Sequence, residues 1–138
     1  NAHIPDRYVP SAEQRMDLYR RIAAIRSEAD ADDVMDELID RYGDPPRTVN
    51  NLISVALLRA DAARNGISQI DQKGANLNFY LDQFDLQRVS ALCGLEKYRS
   101  RLLFSAGERA YLALRLKKGE DALRAARQVV DDFAGAEG

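Results

Sequence analysis

At Gly66 the hydrophobic period of this chain changes, and no other feature constrains its fold as strongly. Upstream, apolar residues recur every three or four positions, as on one face of a helix; downstream they alternate, as on a strand. The densest helical stripe is Val49, Leu52, Ile53, Ala56, Leu57 and Ala60. It stops at Asn65-Gly66, with Ile67 placed for the apolar contact that follows a left-handed helix stop. Before it, Val34, Met35, Leu38, Ile39 and Tyr42 mark a helix that starts near Asp30–Asp32 and closes at Gly43. Asp44 is placed to cap the following helix, with Pro45 or Pro46 in its first turn. A first helix carries Met16, Tyr19, Ile22 and Ala23, flanked by Leu18 and Ile25. Ser11 and Gln14 open it as a capping box, and it is expected to end near Arg26.

Beyond Gly66, Ile67 and Ile70 precede Lys73-Gly74, and Leu77, Phe79 and Leu81 then alternate with Asn76, Asn78 and Tyr80, a hairpin pattern. Asp85 to Cys93 reads as a short helix with Leu86, Val89 and Leu92 inward and Gly94 as its stop. A second hairpin spans Arg101–Ser105 and Ala110–Leu116 around Gly107. A last helix starts near Glu120, with Leu123, Ala126, Val130 and Phe133 inward. The expected class is α+β: a three-helix N-terminal segment, then two hairpin-like units each followed by a helix, forming a small antiparallel sheet packed on helices. Residues 1–10 hold two prolines and read as an extended arm. Asn1-Ala2 has the look of a cloning remnant on a C-terminal domain cut from a longer protein. Residues 11–134 read as a single domain and 135–138 as a frayed tail.

A chain of 138 residues can bury a real core without staples, and 46% hydrophobic residues argue against general disorder. A net charge of −2 advertises no global attraction for nucleic acid. The lone Cys93 forbids an internal disulfide, reads as a packed structural thiol, and fits a reducing, cytoplasmic setting. No apolar run approaches the roughly 20 residues of a membrane span, and no leader pattern is present. Catalytic motifs are absent: there is neither a phosphate loop nor a dinucleotide fingerprint. The only histidine, His3, lies in the arm, so neither a Ser-His-Asp relay nor a two-histidine zinc site can be assembled. Asp30, Asp32 and Asp33 begin like a calcium loop, but Met35 stands where that loop requires glycine. No enzyme activity, cofactor or metal is expected.

Charge is unevenly placed. At 100° per residue, Asp33, Asp36, Glu37 and Asp40 fall on the side of the second helix opposite its apolar face. This reading leaves them without a neutralising Lys or Arg, Arg41 lying nearer the apolar boundary; like charges so placed cost a few tenths of a kcal/mol per pair. From Arg88 to Lys118 the charges are mostly basic, including Arg99, Arg101, Arg109, Arg115, Lys117 and Lys118. Those residues are either protective charges on exposed strands or, as an alternative function, a nucleic-acid-binding accessory surface.

Several runs carry a resemblance: Ile4-Pro5-Asp6-Arg7-Tyr8-Val9, Arg15-Met16-Asp17-Leu18-Tyr19-Arg20-Arg21-Ile22, Glu37-Leu38-Ile39-Asp40-Arg41-Tyr42-Gly43, then Pro46, Asn51-Leu52-Ile53 and Gly66-Ile67. Together they resemble the C-terminal domain of bacterial transcription-repair coupling factors, specifically over about the first seventy residues. The resemblance implies a non-catalytic regulatory domain of an ATP-driven DNA translocase that acts on stalled RNA polymerase in nucleotide-excision repair. Such a domain docks on an N-terminal UvrB-homology module, masks the UvrA-binding surface and restrains the motor; DNA is contacted through other domains of the parent. By motif match, Glu37 and Asp40 supply the acids of that contact, with Asp36 and Asp33 beside them. Tyr42 stands where phenylalanine is frequent, and Asp44-Pro45-Pro46 occupies a variable turn; neither alters the two acids.

Overall fold

The computed structural model describes residues 2–136. The chain divides after Asp61 into two compact units.

In the first unit, α1 (Ala12–Ala23), α2 (Glu28–Tyr42) and the start of α3 (Arg47–Arg64) follow in order. Ser11 caps α1 through its side chain, accepting from the Gln14 N–H at 3.2 Å. Gln14 does not complete a capping box in the expected way; its Oε1 accepts instead from the Tyr42 hydroxyl at 2.9 Å. The helix ends at Ala23 rather than Arg26, and Ile25 is buried beyond its end. Met16, expected on the apolar face, is 53% exposed; Leu18 and Ile22 hold the buried positions.

α2 begins at Glu28, earlier than expected, because Ser27 caps it. The Ser27 hydroxyl accepts from the Asp30 N–H (3.2 Å), and Asp30 Oδ2 accepts from the Arg26 N–H (3.0 Å). Gly43 ends it at φ 81°, a value at which any Cβ is strained. The prolines precede α3 rather than entering its first turn: the Pro46 carbonyl accepts from the Val49 and Asn50 N–H groups.

The expected arm is neither extended nor loose. Pro5 accepts from Tyr8 and Val9 in a turn, and Ile4 and Val9 are buried in the same cluster as Leu18, Ile22, Ile25, Val34, Leu38, Val49 and Ile53. Polar contacts fix it further: the Ile4 N–H donates to the Tyr19 hydroxyl at 2.8 Å, and Arg15 Nη1 donates to the Val9 carbonyl at 2.7 Å. Two prolines remove donors without preventing burial; the apolar side chains between them decide where the segment lies.

The second unit holds a four-stranded antiparallel sheet in the order β1-β2-β4-β3, with β1 Ile67–Lys73, β2 Asn76–Leu81, β3 Leu102–Ser105 and β4 Tyr111–Arg115. Gly66, at φ 80°, makes the turn from helix to strand that the change of period marks. Register places Phe79 opposite Leu112 and Leu77 opposite Leu114, all four buried. Two helices, α4 (Leu86–Cys93) and α5 (Ala122–Gly135), pack on each other, and α4 also meets β3. Asp85 caps α4 by accepting from the Arg88 N–H at 3.2 Å. Leu86 is 63% exposed, not inward, whereas Val89 and Leu92 are buried as expected. Gly135, placed in the frayed tail by the sequence, belongs to α5, and the Ala136 carbonyl accepts from Arg88 Nε at 3.3 Å. The rest of the expected tail, 137–138, lies outside the described residues. Five α-helices and four strands among the described residues make the fold α+β.

Candidate interdomain contact surface

The four candidate acids owe their position to the residues between them. Ala31, Val34 and Leu38 are buried, Leu38 to 1% exposure, which rolls Asp33, Asp36 and Asp40 to the outside. Two tyrosines hold the C-terminal end of α2. The Tyr8 hydroxyl donates to the Gly43 carbonyl at 2.8 Å, the Tyr42 hydroxyl bonds to Gln14, and the two rings lie 5.7 Å apart. Burial, then Asp44 and Tyr42, push the Tyr8 phenol above its ordinary value, so it remains a donor at neutral pH.

The structure separates the acids into two kinds. Asp33, Asp36 and Asp40 are exposed, and none of them forms an ion pair among the described residues. Glu37 is half-buried, and its Oε2 accepts from Arg21 Nη1 of α1 and from Arg41 Nη1 at 3.4 Å. Hydrogen bonding to Arg21 is the main cause holding its carboxyl below the usual glutamate range. The expectation that the row lacks a neutralising cation therefore fails at Glu37. Arg41 is a partner at the favourable i,i+4 spacing, and Arg21 arrives from another helix.

Ile39 is the residue that sequence reasoning misplaced. Assigned to the core, it is 43% exposed and stands beside Asp36 and Asp40 on the outward side. An apolar side chain among unpaired acids is a surface able to exclude water from a charged contact. The signal was available in its angular position, at the margin of the apolar stripe. Next to this surface, a groove of about 450 Å³ between α1 and α2 is lined by Ser11, Glu13, Gln14, Asp17, Leu18, Arg21 and Arg41.

Several of the basic residues from Arg88 onward are engaged by groups of their own unit. Arg88 donates to the Phe133 carbonyl (2.7 Å) and to Asn65 Oδ1 (3.2 Å) and lies over the Phe133 ring at 4.1 Å. Arg101 pairs with Glu120 at 2.6 Å, and Lys97 with Asp132 at 2.8 Å. Arg109 covers Tyr80 at 4.3 Å while donating to Gln69 and Ser68. Arg99, Arg115, Lys117 and Lys118 are exposed. Cys93 is half-buried, and burial pushes its thiol up, away from reactive thiolate. Among the described residues no group of three or more His, Cys, Asp or Glu is arranged to hold a metal ion, and no helix is long and apolar enough to cross a membrane.

The family model of the TRCF domain matches residues 1–91. The chain belongs to the TRCF domain family. Transcription-repair-coupling factors of Escherichia coli K12 and Mycobacterium bovis are 33% and 39% identical over 78 and 75 residues, covering 55% and 54% of this chain and 7% and 6% of those proteins. The factor of Staphylococcus epidermidis is 30% identical over 81 residues, 59% of this chain and 7% of its own length. The chain thus matches only a small part of these curated relatives. The crystal structure of the C-terminal domain of transcription-repair coupling factor has the same fold, with a TM-score of 0.76 at 18% identity, covering 97% of this chain and 87% of that one.

Proposed function

We propose that the TRCF domain described here is the regulatory end of a transcription-repair coupling factor and works by docking. Asp33, Asp36, Glu37 and Asp40 meet basic residues of the UvrB-homology module in the same parent chain. In the docked state the UvrA-binding surface is masked and the DNA-translocating motor is restrained; engagement of RNA polymerase in the cytoplasm releases both. One observation carries this reading: α2 presents unpaired carboxylates around the exposed Ile39 on a helix whose end is pinned by Tyr8 and Tyr42. A rigid acidic face with an apolar residue at its margin suits a basic protein surface, not phosphate.

The test is UvrA binding by the full-length parent protein, with and without the paired substitutions Glu37→Ala and Asp40→Ala. Removing charged partners from a well-packed interface costs about 2–5 kcal/mol, so the closed state loses population and UvrA binds more tightly. Equal UvrA affinity in a folded double variant returns this face to ordinary solvated surface.

A further inference from the structure

Glu37 enters any docking event already occupied. Both of its arginine partners bind the same atom, Oε2, while Oε1 accepts no hydrogen bond among the described residues. A third guanidinium therefore has an open approach before either internal pair breaks. Arg21, for its part, has a ready alternative. Asp17 lies one turn earlier on α1, four residues N-terminal to it, the favoured order for an acid and a base on a helix. Among the described residues Asp17 is held only by Arg20, at 2.8 Å, in a pair whose two side chains are 65% and 69% exposed; such a pair is easily exchanged. Asp17, Arg21 and Arg41 line one groove, which gives the Arg21 side chain room to swing.

We propose that docking, as read above, proceeds by ion-pair exchange: a partner guanidinium takes the Glu37 carboxylate, and Arg21 swings back along α1 to Asp17. Arg21 is then an internal competitor that sets how tightly the domain docks. Asp40 differs in kind, since it accepts a partner cation without surrendering one. The exchange also selects the partner chemistry. A planar fork can engage Oε1 while still satisfying the atom Arg21 leaves, which favours arginine over lysine at this position.

This inference rests on the docking function, and the experiment keeps the two apart. UvrA affinity is measured on the full-length parent protein at low and raised salt for Glu37→Gln, Asp40→Asn, Arg21→Gln and the pair Arg21→Gln with Glu37→Gln. Docking masks the UvrA surface, so each acid variant raises UvrA affinity. Arg21→Gln moves it the other way, weakening UvrA binding about two- to five-fold at low salt, as expected for freeing one exposed ion pair. That effect shrinks at raised salt and disappears in the Glu37→Gln background. Arg21→Gln leaving UvrA binding unchanged or stronger, while the acid variants respond, overturns the exchange and leaves docking intact. No response from either acid variant removes the docking function and the exchange with it.

Discussion

Replacing Arg88 with methionine isolates what one buried-edge cation does for the second unit. Methionine keeps most of the apolar stem and so most of its packing, but loses the fork. The fork makes one short charge-assisted bond to the Phe133 carbonyl at 2.7 Å and longer bonds to the Ala136 carbonyl and Asn65 at 3.3 and 3.2 Å. A hydrogen bond to a charged group is worth about 1.5–3 kcal/mol net. The guanidinium also lies 4.1 Å from the Phe133 ring centre, worth about 0.5–2 kcal/mol. The two overlap, because both require the same placement, and the site is only part-buried. The expected loss is about 2–3 kcal/mol, roughly 10–20 °C in Tm for a unit of this size. Thermal melts give the total, and amide exchange in the last turn of α5 gives the location, since Arg88 binds the Phe133 and Ala136 carbonyls at that end of the helix. Arg88→Lys recovers little, having a point charge in place of the fork. A loss under about 0.5 kcal/mol for Arg88→Met, or full recovery with lysine, refutes the reasoning.

Other outcomes follow from burial, backbone and charge. Ile53→Ala costs about 2–5 kcal/mol in denaturant unfolding, while Leu52→Ala costs less because Leu52 is only partly buried beside the same cluster; equal losses contradict the packing described. Gly66→Ala costs about 1–2 kcal/mol, because φ 80° is unfavourable for an L side chain although open space surrounds the Cα; an unchanged melting curve shows that the turn relaxes. The folded pKa of Glu37 is lowered, so its pair contributes to stability above the unfolded glutamate pKa, and that contribution is lost as pH falls through the folded value. Carboxyl NMR titration checks it: Arg21→Gln moves the Glu37 midpoint upward, toward ordinary glutamate, and an unmoved midpoint removes Arg21 as the cause.

Local periodicity carried the architecture but not its margins. The switch at Gly66 and the two hairpins were readable because strand alternation and turn glycines are properties of neighbouring residues. Met16, Ile39 and Leu86 were assigned inward because each is apolar and lies on or near a stripe; how wide a face its neighbours cover depends on tertiary packing. The N-terminal segment was misread for a similar reason, its prolines being visible and its destination not. At the candidate site the acidic row was legible at helical spacing, and Arg41 was within reach of the same rule. Arg21 was not, because its pairing with Glu37 depends on how α1 lies against α2.

The strand order of the second unit has a consequence for the route by which it forms. The β1–β2 and β3–β4 pairs are hairpins, closed within short stretches of chain, whereas β2 and β4 are joined only after the whole α4 segment has been spanned. Loop closure must precede the reward of the Phe79–Leu112 and Leu77–Leu114 contacts, so the central seam is the slow step and the hairpins are its precursors. Conservative truncations at that seam, such as Leu112→Val, are expected to slow refolding. Val129→Ala in α5, which consolidates later, is expected mainly to hasten unfolding. Stopped-flow chevrons with the opposite assignment would make α5, not the seam, the nucleus of this unit.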